Sequence, residues 1–245
     1  MAITELKPYL SNIADKLKSL LGMTDKINAQ DFVEKIDEVY EQGKKSQYDE
    51  FWNDFQQNGT RYDYRYAFYG WKEELYNPQF DIRPTNASDM FYNAAIKDIY
   101  KNGISIDFSS CGVFTECFRY CSVERLGVLD FRRGTTTSSS AVFAYSSVHT
   151  IEELILNDSG SQTFSSWFTS AAKLENITIT GKIGKVISFQ NSPLLTYESL
   201  TSIKNALLNV SATGSTRTIT LNATSKAKLS ESDIAEITQK GWTVA

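Results

Sequence analysis

A phenylalanine-led segment occurs five times between residues 91 and 194 of the chain. Its copies are Phe91-Tyr-Asn-Ala-Ala-Ile96, Phe118-Arg-Tyr-Cys-Ser-Val123, Phe143-Ala-Tyr-Ser-Ser-Val148, Phe168-Thr-Ser-Ala-Ala172 and Phe189-Gln-Asn-Ser-Pro-Leu194. Successive Phe residues lie 27, 25, 25 and 21 positions apart. Most copies are followed some ten residues later by a short β-prone run: Ile104-Ser-Ile-Asp-Phe108, Val128-Leu-Asp-Phe131, Leu154-Ile-Leu156 and Ile177-Thr-Ile179. An earlier run, Phe80-Asp-Ile82, precedes the first copy. No unit of this length buries its own apolar face, so stability must come from stacking neighbours.

Periods of about 20–29 residues with one short strand each are the pattern of a leucine-rich-repeat solenoid. The fold expected is therefore α/β, with irregular coils and short parallel strands over 80–195. Small residues three, and in most copies four, places after each Phe let adjacent coils approach closely. Both ends of such a stack expose core and need covering. At the C-terminal end, 196–245 reads as an α/β cap. It holds an amphipathic helix over Tyr197–Leu208, a strand at Thr218-Ile-Thr-Leu221, and a helix opened by the capping box Ser230-Glu-Ser-Asp233.

At the other end, 60–79 is aromatic beyond the 13% of the whole chain. Tyr62, Tyr64, Tyr66, Phe68, Tyr69, Trp71 and Tyr76 fall in this stretch. It is read as a junction and N-terminal cap, or as a stacking surface for sugar rings with tyrosine hydroxyls reaching solvent. Before it, 1–59 reads as a helical hairpin. Leu6, Leu10, Ile13, Leu17 and Leu20 form one stripe, Gly22 closes the helix and Asn28 caps the next. The second stripe, from Phe32 through Tyr48, Trp52 and Phe55, is too long for the first helix to cover. Either the later domain or another copy of the chain must cover the remainder, and self-association through these helices is the one expected.

Other features bound the function. A net charge of −4 leaves no electrostatic footprint for nucleic acid. No stretch approaches the ~18 apolar residues of a spanning helix, so membrane insertion is not expected, and the opening residues do not read as a signal peptide. One histidine, His149, and three cysteines, Cys111, Cys117 and Cys121, without C-x-x-C spacing give no metal-ligand pattern. The cysteines read as small buried hydrophobes. Nucleophile-elbow, phosphate-loop, dinucleotide and H-E-x-x-H motifs are absent. Neither an enzyme nor a cofactor or metal is expected.

The Phe-containing coils resemble BspA-type leucine-rich repeats of bacteria and their phages. The ending Leu200-Thr-Ser-Ile-Lys-Asn-Ala-Leu207, then Thr218-Ile-Thr-Leu221 and Lys240-Gly-Trp-Thr-Val-Ala245, is similar to the C-terminal cap of such proteins. The opening Gly22-Met-Thr-Asp-Lys-Ile-Asn-Ala-Gln-Asp-Phe32 resembles the N-terminal segment of phage and prophage tail-associated proteins. The resemblance implies a structural or receptor-binding part of a tail, located in the virion or the bacterial cell. Its partners would be other virion proteins and a host surface protein or glycan; a cell-surface adhesion module or an intracellular scaffold are the alternatives. With Ile82, Ile106, Leu129 and Ile177 turned inward, strand alternation turns Asp81, Arg83, Asp107, Asp130 and Thr178 outward. Asp81, Asp107 and Asp130 would then form an acidic row, either a ligand surface or a solvated face.

Overall fold

The computed structural model describes Asp15, Lys16, Lys18, Ser19 and residues 63–71, 84–95, 104–132, 139–157 and 164–245. Contacts divide the chain into two units, Met1–Gln57 and Asn58–Ala245. In the first, Asp15, Lys16, Lys18 and Ser19 are helical, and Lys18 pairs with Asp15 at 3.6 Å, one turn away. The rest of the expected hairpin and its self-association lie outside the described residues, as do Tyr62, Tyr76, Asp81, Ile82 and Arg83.

The second unit is α/β, with parallel strands in two sheets. The first sheet runs β1 (Ile104–Asp107), β2 (Arg125–Asp130), β3 (Thr150–Leu156) and β4 (Asn176–Gly181), in that order. Its register places Ile106 on Leu129, Leu129 on Leu154 and Leu154 on Ile179. All four side chains are buried. A second inward row joins Leu126, Ile151 and Ile177. The inward set read from the sequence is thus buried wherever it is described, with Leu129 and Ile177 on different rows.

Around Phe68, Phe91, Phe118, Phe143 and Phe168 the chain makes a six-residue turn, at 65–70, 88–93, 115–120, 140–145 and 165–170. Alternate amides of one turn donate to carbonyls of the next. Phe68 N reaches Met90 O at 2.8 Å, Phe91 N reaches Cys117 O at 2.8 Å, and Phe118 N reaches Val142 O at 2.8 Å. The intervening amides close the turn on itself, as in Tyr69 N to Tyr66 O at 3.1 Å. Buried backbone groups demand partners, and this alternation supplies them. It also needs left-handed residues, which occur two places before and two after the Phe: Tyr66 and Gly70, Asp89 and Asn93, Glu116 and Tyr120, Ala141 and Tyr145.

The phenylalanines form one column. Phe68, Phe91, Phe118, Phe143, Phe168 and Phe189 stack with centroids 4.9, 5.0, 5.5, 5.2 and 4.6 Å apart. The five aligned copies are all in it, and Phe68 adds a sixth rung inside the segment read as a junction. Each stacked pair contributes about 0.5–1.5 kcal/mol beyond area burial. Trp167, fully buried, sets its ring edge-to-face against Phe114 and Phe164 beside the column.

The first sheet ends on a helix rather than a fifth strand. Helix α1 (Tyr197–Ala206) is capped by Thr196, whose hydroxyl accepts from Ser199 N. The Ser199 hydroxyl accepts Ile177 N at 2.9 Å and donates to Glu175 O at 3.1 Å. The Ser202 hydroxyl accepts Ile179 N at 2.7 Å. Two serines one turn apart therefore satisfy the edge of β4 that a neighbouring strand would otherwise pair, which blunts that edge.

The second sheet carries the chain to its end: β5 (Ile187–Phe189), β6 (Arg217–Leu221) and β7 (Trp242–Val244), all parallel. Two helices accompany it, α2 (Ala223–Lys226) and α3 (Glu231–Gln239). The expected capping box forms between Ser230 and Asp233. Asp233 also joins α3 to α1, because Lys204 Nζ donates to its Oδ1 at 2.7 Å and contacts Glu236 at 2.7 Å. The Lys204 hydrogen bond, followed by those from Ser230, holds the Asp233 carboxyl far below the usual range. A lowered folded-state value stabilises above the unfolded one and is lost as pH falls. Replacing Asp233 by Asn is therefore expected to lower the melting temperature at neutral pH. The gap should shrink as pH drops below about 4, where unfolded carboxyls protonate. Thermal melts of both proteins across that range check it.

A candidate recognition surface on the stacked turns

The sequence-nominated acidic row is only partly assembled. Asp107 and Asp130 are register partners on adjacent strands. The next partners are Ile155 and then Thr180, so the acidic character stops after two rungs. Asp130 is not laid out on an open face as expected; it is 8% exposed. Its carboxylate folds back, accepting Arg132 N at 3.1 Å and the Arg132 guanidinium at 2.6–3.0 Å. Asp107 likewise turns back to accept Ser109 N at 2.9 Å. These are strand-end turns of the kind short acidic side chains favour. Asp63 repeats the device with Arg65, whose hydrogen bonds hold its carboxyl below the usual range. No group of three or more potential metal ligands occurs among the described residues.

Thr178 is exposed on β4, away from the acidic pair. It lines a shallow cleft of about 130 Å³ with Glu152, Asn176, Thr196 and Glu198, where the first sheet meets α1. Around it, cross-strand pairs satisfy the face: Arg125 with Glu152, and the Thr180 hydroxyl with Glu153 at 2.8 Å.

The aromatic residues of 60–79 divide. Tyr64 is buried at 7% exposure, and Trp71 packs edge-on against Phe68 with centroids 5.9 Å apart. Tyr66 stands 60% exposed. It begins a stripe that the sequence reading did not find. Tyr66 meets Tyr69 at 5.8 Å, Tyr69 stacks on Tyr92 at 5.0 Å, Tyr92 meets Tyr120 at 5.4 Å, and Tyr120 stacks on Tyr145 at 5.0 Å. Tyr69, Tyr120 and Tyr145 are 53, 41 and 46% exposed. The stripe runs across four successive turns, outside and parallel to the phenylalanine column.

Ring orientation decides what the stripe offers. Tyr69 and Tyr92 are parallel to within 1°, so their faces cover one another and their edges face outward. Tyr66 is rotated 68° from Tyr69, and Tyr120 by 72° from Tyr92. Arg119 lies 5.0 and 5.5 Å from the centroids of Tyr120 and Tyr145, within cation–π reach. It also pairs with Glu116. Asp89, on the preceding turn, has its carboxyl pushed up by burial and by Glu116. Exposed tyrosine with arginine is the composition enriched at recognition surfaces.

The three cysteines are buried thiols, none of them in a disulfide. Burial pushes the Cys117 thiol well above its usual range, with Cys111 and Cys121 adding to the effect. Thiolate is the reactive form. All three thiols are expected to resist a maleimide in the folded protein and to label promptly in denaturant, counted by intact mass. No protein-family model, curated protein or solved structure matches this chain.

Proposed function

We propose that the stacked turns form an irregular BspA-type leucine-rich-repeat solenoid. On this reading the chain is a non-enzymatic structural or receptor-binding component of a phage or prophage tail. The tyrosine stripe carries the proposal. A chain keeping its folded state soluble has no need to line up exposed aromatic rings on consecutive turns, whereas a recognition surface does. The resemblance of 22–32 to tail-associated proteins supplies the setting, with the N-terminal segment joining copies to each other or to other virion proteins. The stripe then faces a host surface protein or glycan.

The test is mass spectrometry on particles purified after prophage induction or infection. Peptides from this chain at a stoichiometry comparable to tail components are expected. Their absence from particles, with the protein found on cells instead, overturns the tail assignment in favour of an adhesion module. Deleting 1–59 is expected to abolish the oligomer measured by light scattering.

A further inference from the structure

We infer that the tyrosine stripe binds a neutral, extended, unbranched chain of hexopyranose sugars laid along the stack, about one sugar to a turn. This rests on the recognition reading above and gives it a ligand class. The first argument is periodicity. Stacked parallel strands repeat at about 4.8 Å, and from one turn to the next the tyrosine centroids follow one another at 5.0–5.4 Å. A ligand that meets an equivalent group on every turn must itself repeat at that interval. An extended β-linked hexopyranose chain advances by about that length per ring, whereas the surface of a globular protein carries no such repeat.

Backbone energetics supply the second argument. Tyr66, Tyr120 and Tyr145 have φ of 59, 56 and 58°. A left-handed residue other than glycine costs roughly 1–2 kcal/mol. Gly70, at the place in its turn that Tyr120 and Tyr145 occupy in theirs, shows the strain-free solution. Asp89, Asn93, Glu116, Ala141 and Ser170 carry the same strain in these turns, so what sets the three tyrosines apart is a large ring held there more than two-fifths exposed, which core packing does not account for.

Chemistry and charge then narrow the ligand. Tyrosine hydroxyls, with the planar side chains of Asp89, Glu116 and Arg119 beside the rings, form a donor–acceptor set for a hydroxyl-rich partner. The turned rings of Tyr66 and Tyr120 add apolar surface for sugar C–H groups. The cations are engaged internally, Arg119 with Glu116 and Arg65 with Asp63. Among the described residues, nothing along the stripe attracts a sulfated or uronic polymer. Past Tyr145 the row becomes polar, with Ser170 N donating to Asn191 Oδ1 at 3.3 Å. Among the described residues the aromatic part therefore spans four turns.

The experiment is calorimetric titration of the full chain with cello- and chito-oligosaccharides from dimer to hexamer, with malto-oligosaccharides, which coil, as the control. Affinity is expected to rise with each sugar through the tetramer and then level off, and the malto series is expected to be silent. Tyr120→Gly and Tyr145→Gly should each weaken binding about thirtyfold, the size expected of a hot-spot aromatic. Their melting temperatures should stay within a few degrees of wild type, because glycine takes positive φ without strain. Absence of binding in both β-linked series, affinity indifferent to chain length, or glycine variants that bind as tightly as wild type would each overturn the inference. Attachment of the same variants to host cells separates the two readings. Cell binding lost with no oligosaccharide bound removes the glycan and keeps the recognition surface. Cell binding unchanged in both variants removes both.

Discussion

Phe118→Ala is expected to cost about 3–5 kcal/mol, the range for truncating a buried aromatic. That is a large share of the 5–15 kcal/mol by which a typical domain is stable. Phe118 is fully buried and sits inside the column, 5.0 Å from Phe91 and 5.5 Å from Phe143, with Phe108 edge-on at 6.3 Å. Its neighbours cannot close the gap, because each is held at its own height by turn-to-turn hydrogen bonds. The loss should therefore exceed simple area burial. Position in the stack adds a second effect. In a stacked array each layer is stabilised by its neighbours, so a hole in a middle rung weakens the coupling between the layers on either side. Urea titration should show a lower midpoint and also a shallower transition, as the two sides begin to unfold separately. Phe189→Leu, at the C-terminal end of the column and keeping most of the volume, should lower the midpoint alone.

The same column shows why part of the fold is readable from the chain. A stacked side chain must recur once per layer, so Phe91, Phe118, Phe143, Phe168 and Phe189 announce their layers by spacing alone. Phe68 escapes because tyrosines crowd it and the small residues three and four places after the other copies are replaced by Trp71 and Lys72. The signal was Gly70, which stands where the turn needs positive φ. Inward and outward strand positions are legible from alternation, which is why Ile106, Leu129 and Ile177 are buried as expected. Asp130 defeats the same rule because its fate depends on Arg132 two residues later, and a strand-end turn leaves no mark on alternation. Ser199 and Ser202 read as ordinary polar residues of an amphipathic helix, since only the register of β4 reveals what they bind.

The tyrosine stripe was hidden by a shift of one place. Tyr69 and Tyr92 follow their Phe directly, whereas Tyr120 and Tyr145 follow at the second position. An alignment on Phe therefore scatters them into two columns, and the turn brings them back into one. A repeat aligned on exposed aromatic residues rather than on the core would have found it. Residues that hold the layers together keep strict spacing because packing punishes a slip. Those that face outward have latitude, so function on such a surface is less legible than fold.

Gly181→Ala should cost about 3–5 kcal/mol, far more than an ordinary glycine substitution. Gly181 ends β4 opposite Leu156 with φ of 82°. A Cβ there would lie 1.9 Å from Leu156 O and 3.1 Å from Leu156 C. These are backbone atoms of the neighbouring strand, so no rotamer change relieves the contact. Leu156 O also accepts Lys182 N at 3.2 Å, and any shift that admits the methyl group breaks that bond. Gly214 provides the comparison. Its φ is 65°, and a Cβ would meet nothing within 4 Å, so Gly214→Ala should show only the left-handed penalty of roughly 1–2 kcal/mol. The difference between the two variants in urea unfolding isolates the clash from the dihedral strain. Losses of equal size at both glycines would mean that β4 leaves the sheet before it reaches Leu156.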